Sequence, residues 1–419
     1  MRILYLIAFE GIAGGHKVIF EQVNRLIDRG HEVIVLSLLK DTHPTWFPLK
    51  TKVLYFDGKV PEVDIMVATS SATAIVADRI KKGIPFYFIQ GYEVSFSDTP
   101  NYIIQCEDSY RLPLNILVHS NWLKDLFKDK YNRQSHLMSI GIDLDHFRPI
   151  DMDQLRNKKI LMIYSSHPIK GSRIGLEAFR LIKSGYPDVE LVMFGLEPPP
   201  KLDFSFAYFQ NPSQTEIPRL YSSCSIFILP STMEGLSLPP LEAMACKRAV
   251  VVTDCLGTRE YARDGKTALV VPPRNPERLS EAVIRLLEDD QLRRRLAENG
   301  HKEARRFSWY KAINQLEKIF NKAHREYLKN LQGRSQWEKV IAISPDDVWA
   351  HYCYGLELYG QRDLEGAQRE FGEAIRLNPN FPLAYKELGK LLLAKGDQNG
   401  ALVNLKKAHE LLLSKSPPT

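Results

Sequence analysis

From Arg2 to about Pro272 the apolar residues fall into short runs rich in valine and isoleucine, most of them followed by a turn and then by apolar residues at helical spacing. That alternation is the most restrictive feature of the chain, because strands that alternate with helices pair in parallel and must be covered on both faces. The first unit shows the pattern. RILYLIAF ends in the turn GIAGG, Val18, Phe20, Val23, Leu26 and Ile27 then recur near helical spacing, and Gly30 closes that helix before HEVIVLSLL. This is a strand, a helix and a second parallel strand.

Two series of such units follow one another. KVLYF, DIMVAT, PFYFIQ, NILVHS and HLMSI complete the first; KKILMIYSS, VELVMFG, AYFQ, CSIFILPS, RAVVVTD and ALVVP make the second. Between them GIDLDHFRPIDMD, with glycine, proline and several carboxylates, suits a hinge. The expected fold is α/β: two doubly wound, Rossmann-like domains facing a cleft, with ligands at the carboxyl ends of the strands. A chain of 419 residues requires more than one domain, and 44% hydrophobic with 25% charged residues suits packed globular ones.

The last ninety residues lose the strand pattern and repeat at a 34-residue period. Gly355 returns as Gly389, Ala367 as Ala401, Phe371 as Leu405 and Ala374 as Ala408, and Pro379 ends the first unit. Small residues at these places let paired helices approach while Phe371 and Leu405 fill the contact. One period upstream, Trp337, Val340 and Pro345 suggest a degenerate earlier unit. The period resembles that of tetratricopeptide repeats, which implies an all-α module that binds a protein partner or a second copy. The expected division is residues 1–150 for a first Rossmann-like domain, 151–330 for a second, and 331–419 for the helical module.

Composition removes several function classes. The net charge of +6, from 56 basic and 50 acidic residues, is mild, and no basic run or aromatic-basic motif argues for nucleic acid. Five scattered cysteines without CxxC spacing indicate neither a disulfide framework nor a zinc site, which points to a reducing, cytoplasmic compartment. The N-terminal apolar run is broken by glycines and reads as a first buried strand rather than a signal peptide. No window approaches the roughly 20 apolar residues of a membrane span, so any membrane contact is expected to be peripheral.

The chemistry concentrates in PSTMEGLSLPPLEAMACKRAVVVTD, residues 230–254. A strand ends just before Glu234, and Pro239 and Pro240 stand at the start of a helix, where the first amides lack internal partners anyway. The positive end of that helix and its free amides make a seat for a diphosphate. Glu242, within the first turn, is placed to accept from ribose hydroxyls, and Glu234, on the loop, can reach a sugar hydroxyl. Gly235, Leu236, Ser237 and Leu238 between them complete the candidate donor-binding loop. Gly14 and Gly15 offer backbone without bulk from the other domain.

The segment ExxxxxxxE, preceded by a strand and PS and followed by EAMACKRAVVVTD, resembles the signature of retaining family-4 glycosyltransferases of the GT-B fold. VHSNWLKDLF, SIGIDLDHFRP, IKGSRIGLEAF, GTREYARDGKTALVVPPRNPERLSEAV and FSWYKAINQLEKIF match the same family in order, so the likeness spans roughly residues 1–325. It implies that Lys170, in IKG, contacts the donor diphosphate, that Gly14 and Gly15 belong to the glycine loop after the first strand, and that Glu260 lies near the donor. Lys170 and Glu234 are then the catalytic candidates, with transfer free of metal and of any cofactor beyond the nucleoside diphosphate sugar.

Two positions depart from the family. Ser165 stands where an arginine usually precedes the lysine, so either Arg173 or another basic group replaces it or the donor is handled differently. Gln90 takes the place of an acceptor-side histidine, so Tyr92, Glu93 or the departing phosphate itself is left to handle the acceptor's proton. His16, His119 and His167 are weaker candidates. The strings DLD at Asp143–Asp145 and DMD at Asp151–Asp153 imitate a DxD metal site, but paired carboxylates in a linker are more often solvated or capping groups.

The reading is transfer of a sugar to a glycan or lipid-linked acceptor with retention, in surface polysaccharide biosynthesis. Its rivals are a nucleotide-sugar epimerase, a phosphorylase, and a catalytically weak scaffold acting through the repeats.

Overall fold

The structure, a computed structural model, describes residues 1–8, 12, 14–40, 44–80, 82–150, 158–199, 201–332 and 335–413. The DMD string therefore lies outside the described residues, as do Gly11 and Ala13 of the first glycine turn.

The first series of apolar runs becomes a seven-stranded parallel sheet. Its strands are β1 (Arg2–Ile7), β2 (Glu32–Ser37), β3 (Val53–Tyr55), β4 (Ile65–Ala68), β5 (Ile84–Ile89), β6 (Asn115–Val118) and β7 (Ser135–Leu137). They lie in the order β3-β2-β1-β4-β5-β6-β7. β1 pairs with β2 through Tyr5 and Val35 and with β4 through Tyr5 and Val67, so the winding reverses between β1 and β4. Helices α1 (Gly14–Asp28), α2 (Ser71–Ile80), α3 (Pro100–Ser109) and α4 (Asn121–Tyr131) connect them. Apolar residues buried on both faces of the central strands explain why these runs hardly alternate.

The second series forms a six-stranded parallel sheet: β8 (Lys159–Ile163), β9 (Glu190–Gly195), β10 (Phe206–Gln210), β11 (Ile226–Leu229), β12 (Ala249–Thr253) and β13 (Leu269–Val271). Its order is β10-β9-β8-β11-β12-β13, with the reversal between β8 and β11. Helices α5 (Ser172–Gly185), α6 (Ile217–Ser223), α7 (Leu238–Ala245), α8 (Pro276–Glu288) and α9 (Asp290–Ala304) complete it. The expectation of two doubly wound sheets holds.

The chain then crosses back. Helix α10 (Trp309–Gln332) follows the second sheet but packs on the first domain, with Phe320 against Phe86 at 5.0 Å between ring centres. Glu317 binds Arg29 and His31, and Gln315 accepts from Ser139. The crossing is tight at Gly141, where a Cβ would collide with Trp309. Buried apolar residues of both domains, including Phe147 and Tyr221 at 6.0 Å, belong to one continuous cluster. Asp143 caps the turn here, accepting from the amides of Asp145 and His146 at 3.1 and 3.0 Å. That is the capping role expected of a linker carboxylate.

The remaining helices are α11 (Gln336–Ile343), α12 (Val348–Gly360), α13 (Leu364–Leu377), α14 (Pro382–Ala394) and α15 (Gln398–Leu413). α12 with α13 and α14 with α15 form hairpins built alike 34 residues apart. A Cβ on Gly355 would meet Phe371 at 2.6 Å, and one on Gly389 would meet Leu405 at 2.7 Å. Asp363 caps Gly366 and Asp397 caps Gly400, each at 2.9 Å. α11, which carries Trp337 and Val340, has none of its residues fully buried. The C-terminal region is all-helical and periodic.

Candidate active site

Lys170 and Glu234 meet at the reversal point of the second sheet. After β8 the chain makes a short 3-10 turn, Pro168–Lys170, closed by Gly171 in the left-handed region. Gly171 accepts no side chain, because a Cβ there would collide with the Pro230 carbonyl oxygen after β11. This close approach brings the two loops together. Lys170 Nζ lies 2.9 and 3.0 Å from the two carboxylate oxygens of Glu234, and Ser231 donates to the same carboxylate at 2.8 Å. Glu234 is buried while the Lys170 side chain keeps 41% of its exposure, so the ammonium is the part of the pair open to a ligand.

The loop after Glu234 leaves its amides unused. Among the described residues nothing accepts from the backbone N–H of Gly235, Leu236 or Ser237. Ser237 sits at φ +70°, an unusual conformation for a non-glycine residue, and its carbonyl accepts from Tyr261 at 3.0 Å. Leu238 then opens α7, with Pro239 and Pro240 in the first turn as expected. Consecutive free amides beside a helix start and a lysine make a cradle for negative charge.

Glu242, in α7, is also buried, and both of its oxygens have partners: Tyr221 donates at 3.0 Å and Lys17 of α1 approaches to 3.4 Å. Burial and the nearby Glu242 push the Tyr221 hydroxyl well above its ordinary pKa, so it remains a donor. Lys17 also stands 4.8 Å over the Phe147 ring. Each of the two glutamates is thus neutralised by a lysine, one from its own domain and one from across the cleft. Arg173 is exposed on α5 and takes part in no ion pair among the described residues. Ser165 is half-buried; its amide donates to Ser172 Oγ at 2.9 Å and its hydroxyl accepts from the His167 amide at 3.3 Å.

The first domain supplies Gly15, Gln90, His119, Asn121 and Trp122 to the seam. Gln90 donates to the Gly15 carbonyl at 3.2 Å, and its own carbonyl accepts from His119 Nε2 at 2.9 Å. A Cβ on Gly235 would collide with that Gln90 carbonyl, so the two domains approach closely here. A Cβ on Gly14 would meet nothing within 4 Å. Burial lowers the His119 pKa to about 4, keeping the imidazole neutral at ordinary pH. Glu260 accepts from the Asn121 amide at 2.6 Å and from its side chain at 2.9 Å, and Trp122 Nε1 donates to the Gly235 carbonyl at 2.8 Å.

Tyr92 and Glu93 are placed differently from expectation. The Tyr92 hydroxyl is tied to Glu107, Lys130 and Tyr131. The Glu93 carboxylate accepts from Tyr87 at 2.8 Å, Tyr102 at 3.3 Å and the Ser71 amide at 3.2 Å. All of these partners belong to the first domain, so the geometry brings neither residue to the Lys170–Glu234 pair. Gln90 is the acceptor-side candidate that does reach the seam. Lys17, Asn121 and Trp122 carried no mark in the sequence as site residues; their only signal was membership of matched or neighbouring segments.

Comparisons with known proteins bear on this arrangement. The N,N'-diacetylbacillosaminyl-diphospho-undecaprenol alpha-1,3-N-acetylgalactosaminyltransferase of Campylobacter jejuni is 32% identical over 192 residues, 42% of this chain and 50% of that protein. The MMP alpha-(1->4)-mannosyltransferase of Mycolicibacterium hassiacum is 30% identical over 202 residues, 45% of this chain and 49% of that one. The chain spans about half the length of these relatives. Among solved structures, HepE of Anabaena in complex with UDP and glucose superposes with a TM-score of 0.66 at 15% identity, covering 77% of this chain and 100% of that one. A sucrose-phosphate synthase from Thermosynechococcus elongatus gives 0.65 at 15%, covering 78% and 100%. These two likenesses show a shared GT-B architecture. Residues 150–303, which hold Lys170, Glu234, Glu242 and Glu260, match the family described as Glycosyl transferases group 1, and the second sheet domain is the part of the chain that this family describes.

Proposed function

We propose that the chain is a retaining, family-4-like hexosyltransferase that moves a sugar from a nucleoside diphosphate to a glycan or lipid-linked acceptor. The observation that carries this reading is the Lys170–Glu234 pair beside the free amides of Gly235, Leu236 and Ser237. When the bond between the anomeric carbon and the diphosphate breaks, charge builds on the leaving oxygens. A fixed ammonium and preorganised amides in a half-closed crevice stabilise that charge without a cofactor. On this reading a sugar hydroxyl takes over Glu234 and ribose hydroxyls take over Glu242, releasing Lys170 toward the diphosphate. The acceptor oxygen attacks from the face the diphosphate leaves, and its proton passes to a leaving phosphate oxygen, so configuration is retained.

The named relatives support a sugar donor and, in the Campylobacter jejuni protein, a lipid-linked acceptor. No helix among the described residues is long and apolar enough to cross a membrane, so contact with such an acceptor would be peripheral. The paired hairpins act as tetratricopeptide repeats that hold a protein partner or a second copy. Sedimentation of the full chain reads the second option directly.

Titration with UDP, GDP and dTDP, followed by incubation with the matching nucleotide sugars and a lipid-linked acceptor, tests the reading. It expects tight binding of one nucleotide, a product of unchanged anomeric configuration by NMR, and activity that survives a chelator. Inverted product or strict chelator sensitivity would overturn the mechanism, and silence toward every nucleotide would overturn the function.

A further inference from the structure

Helix α4 begins at the seam between the domains. Its N-cap, Ser120, has an extended backbone and is buried. The next two residues reach into two separate loops of the second domain. Asn121 grips the Glu260 carboxylate with both its amide and its side chain, and Trp122 Nε1 holds the Gly235 carbonyl at 2.8 Å. A trans peptide is planar, with its carbonyl and N–H on opposite sides. Fixing the Gly235 carbonyl therefore fixes the direction of the Leu236 N–H, which has no partner among the described residues. The loop has little freedom to choose another arrangement: Gly235 abuts the Gln90 carbonyl and Ser237 is held at positive φ.

We propose that Trp122 and Asn121 are positioning residues that set the donor loop for transfer only while the two domains are together. The proposal rests on the donor reading given above. On that reading the second domain alone carries the groups that hold the nucleoside diphosphate in its ground state: Lys170, Glu234, Glu242 and the amides of residues 235–237. What it lacks is the indole N–H that orients the 235–236 peptide, and that group arrives with the first domain. The orientation of the Leu236 amide then acts on turnover rather than on nucleotide affinity, since interactions that sharpen only in the transition state raise kcat.

The test uses the full chain with Trp122→Phe, which removes the N–H and keeps a ring, and with Asn121→Ala. Loss of one hydrogen bond of ordinary net strength corresponds to roughly a tenfold change. The Trp122→Phe variant is expected to lose about tenfold in kcat, with affinity for the bound nucleoside diphosphate within about twofold of the original by calorimetry. Amide hydrogen exchange across residues 234–238 is expected to quicken in both variants. Unchanged turnover, or turnover and affinity falling together, would overturn the proposal; so would unchanged exchange at 234–238, a readout that needs no activity. An unsubstituted chain that binds no nucleotide while the exchange still quickens would refute the donor reading and leave the positioning contact standing.

Discussion

The two sheets are wound alike but treat their reversal points in opposite ways. Between β1 and β4 the first domain fills the opening with its own side chains: Thr73 accepts from the amides of Thr69 and Ser70 at 2.8 and 2.9 Å, Glu93 accepts from Ser71, and Thr69 donates to the Leu6 carbonyl at 2.8 Å. Between β8 and β11 the second domain pairs Lys170 with Glu234 and leaves three successive amides after Glu234 without partners among the described residues. Buried backbone groups are normally satisfied, so among the described residues the amides free at one reversal point and capped at the other single out the second sheet as the candidate anion site of the proposed reading.

The comparison breaks first at Lys170. If the second reversal point is where charge is stabilised, Lys170→Ala should lower kcat by roughly 10²–10³-fold, the range for removing one preorganised donor to a developing anion. The variant should melt somewhat earlier, because buried Glu234 loses its cation and keeps only Ser231, so kcat is compared at a temperature where both proteins are folded. Steady-state kinetics with the nucleotide sugar selected by titration measures it. A loss of less than tenfold would return the two reversal points to equal standing.

The seam between the domains gives the next largest effect. His119 holds the Gln90 carbonyl while burial lowers its pKa from 6.5 to about 4. The folded chain thus binds this proton less readily than the unfolded chain. Its contribution is complete above pH 6.5 and is lost as pH falls toward 4, by roughly 3 kcal/mol for a shift of this size. Denaturant unfolding between pH 7 and 4 should show the decline, and His119→Asn should flatten it. A slope that survives the substitution would assign the acid sensitivity elsewhere.

A third test separates the helical hairpins from the crevice. Gly355→Val drives a branched side chain into Phe371, an overpacking that costs about 1–3 kcal/mol. Gly389→Val should do the same against Leu405. Helical signal should melt earlier in both variants while nucleotide affinity stays put.

How much of this was legible in the residues follows from the range of each interaction. β-branched runs between glycine turns announce parallel strands because burial on both faces leaves no polar alternation, and both sheets formed where such runs stood. The glycine-to-aromatic spacing of the hairpins was readable because Gly355 and Phe371 are close in sequence. Glu234, Glu242 and Lys170 stood out through their likeness to a family pattern, and the structure gathers them around one crevice. Trp122 to Gly235, Asn121 to Glu260 and Lys17 to Glu242 span 113, 139 and 225 residues, and no local periodicity encodes them. Tyr92 and Glu93 looked like acceptor-side groups because a loop sequence shows neither of the neighbours, Glu107 and Tyr87, that engage them.

The placement of Tyr92 supplies the smallest effect, and the most economical check on the whole comparison. Tyr92 lies on the loop after β5, the place from which an acceptor-side group would act, yet its hydroxyl donates to Glu107 at 3.2 Å and receives from Lys130. The same lysine binds Glu107 directly at 2.7 Å, so the ion pair persists without the phenol. Tyr92→Phe therefore keeps the ring stacked on Tyr110, removes one partly redundant hydrogen bond, and costs less than about 1 kcal/mol of stability. Transfer should stay within about threefold of the original, because no atom of the crevice has moved. A loss of two orders of magnitude in kcat with unchanged melting would mean that the phenol reaches the acceptor during turnover. The first reversal point would then have a chemical role of its own, and the contrast between the two sheets would have to be redrawn.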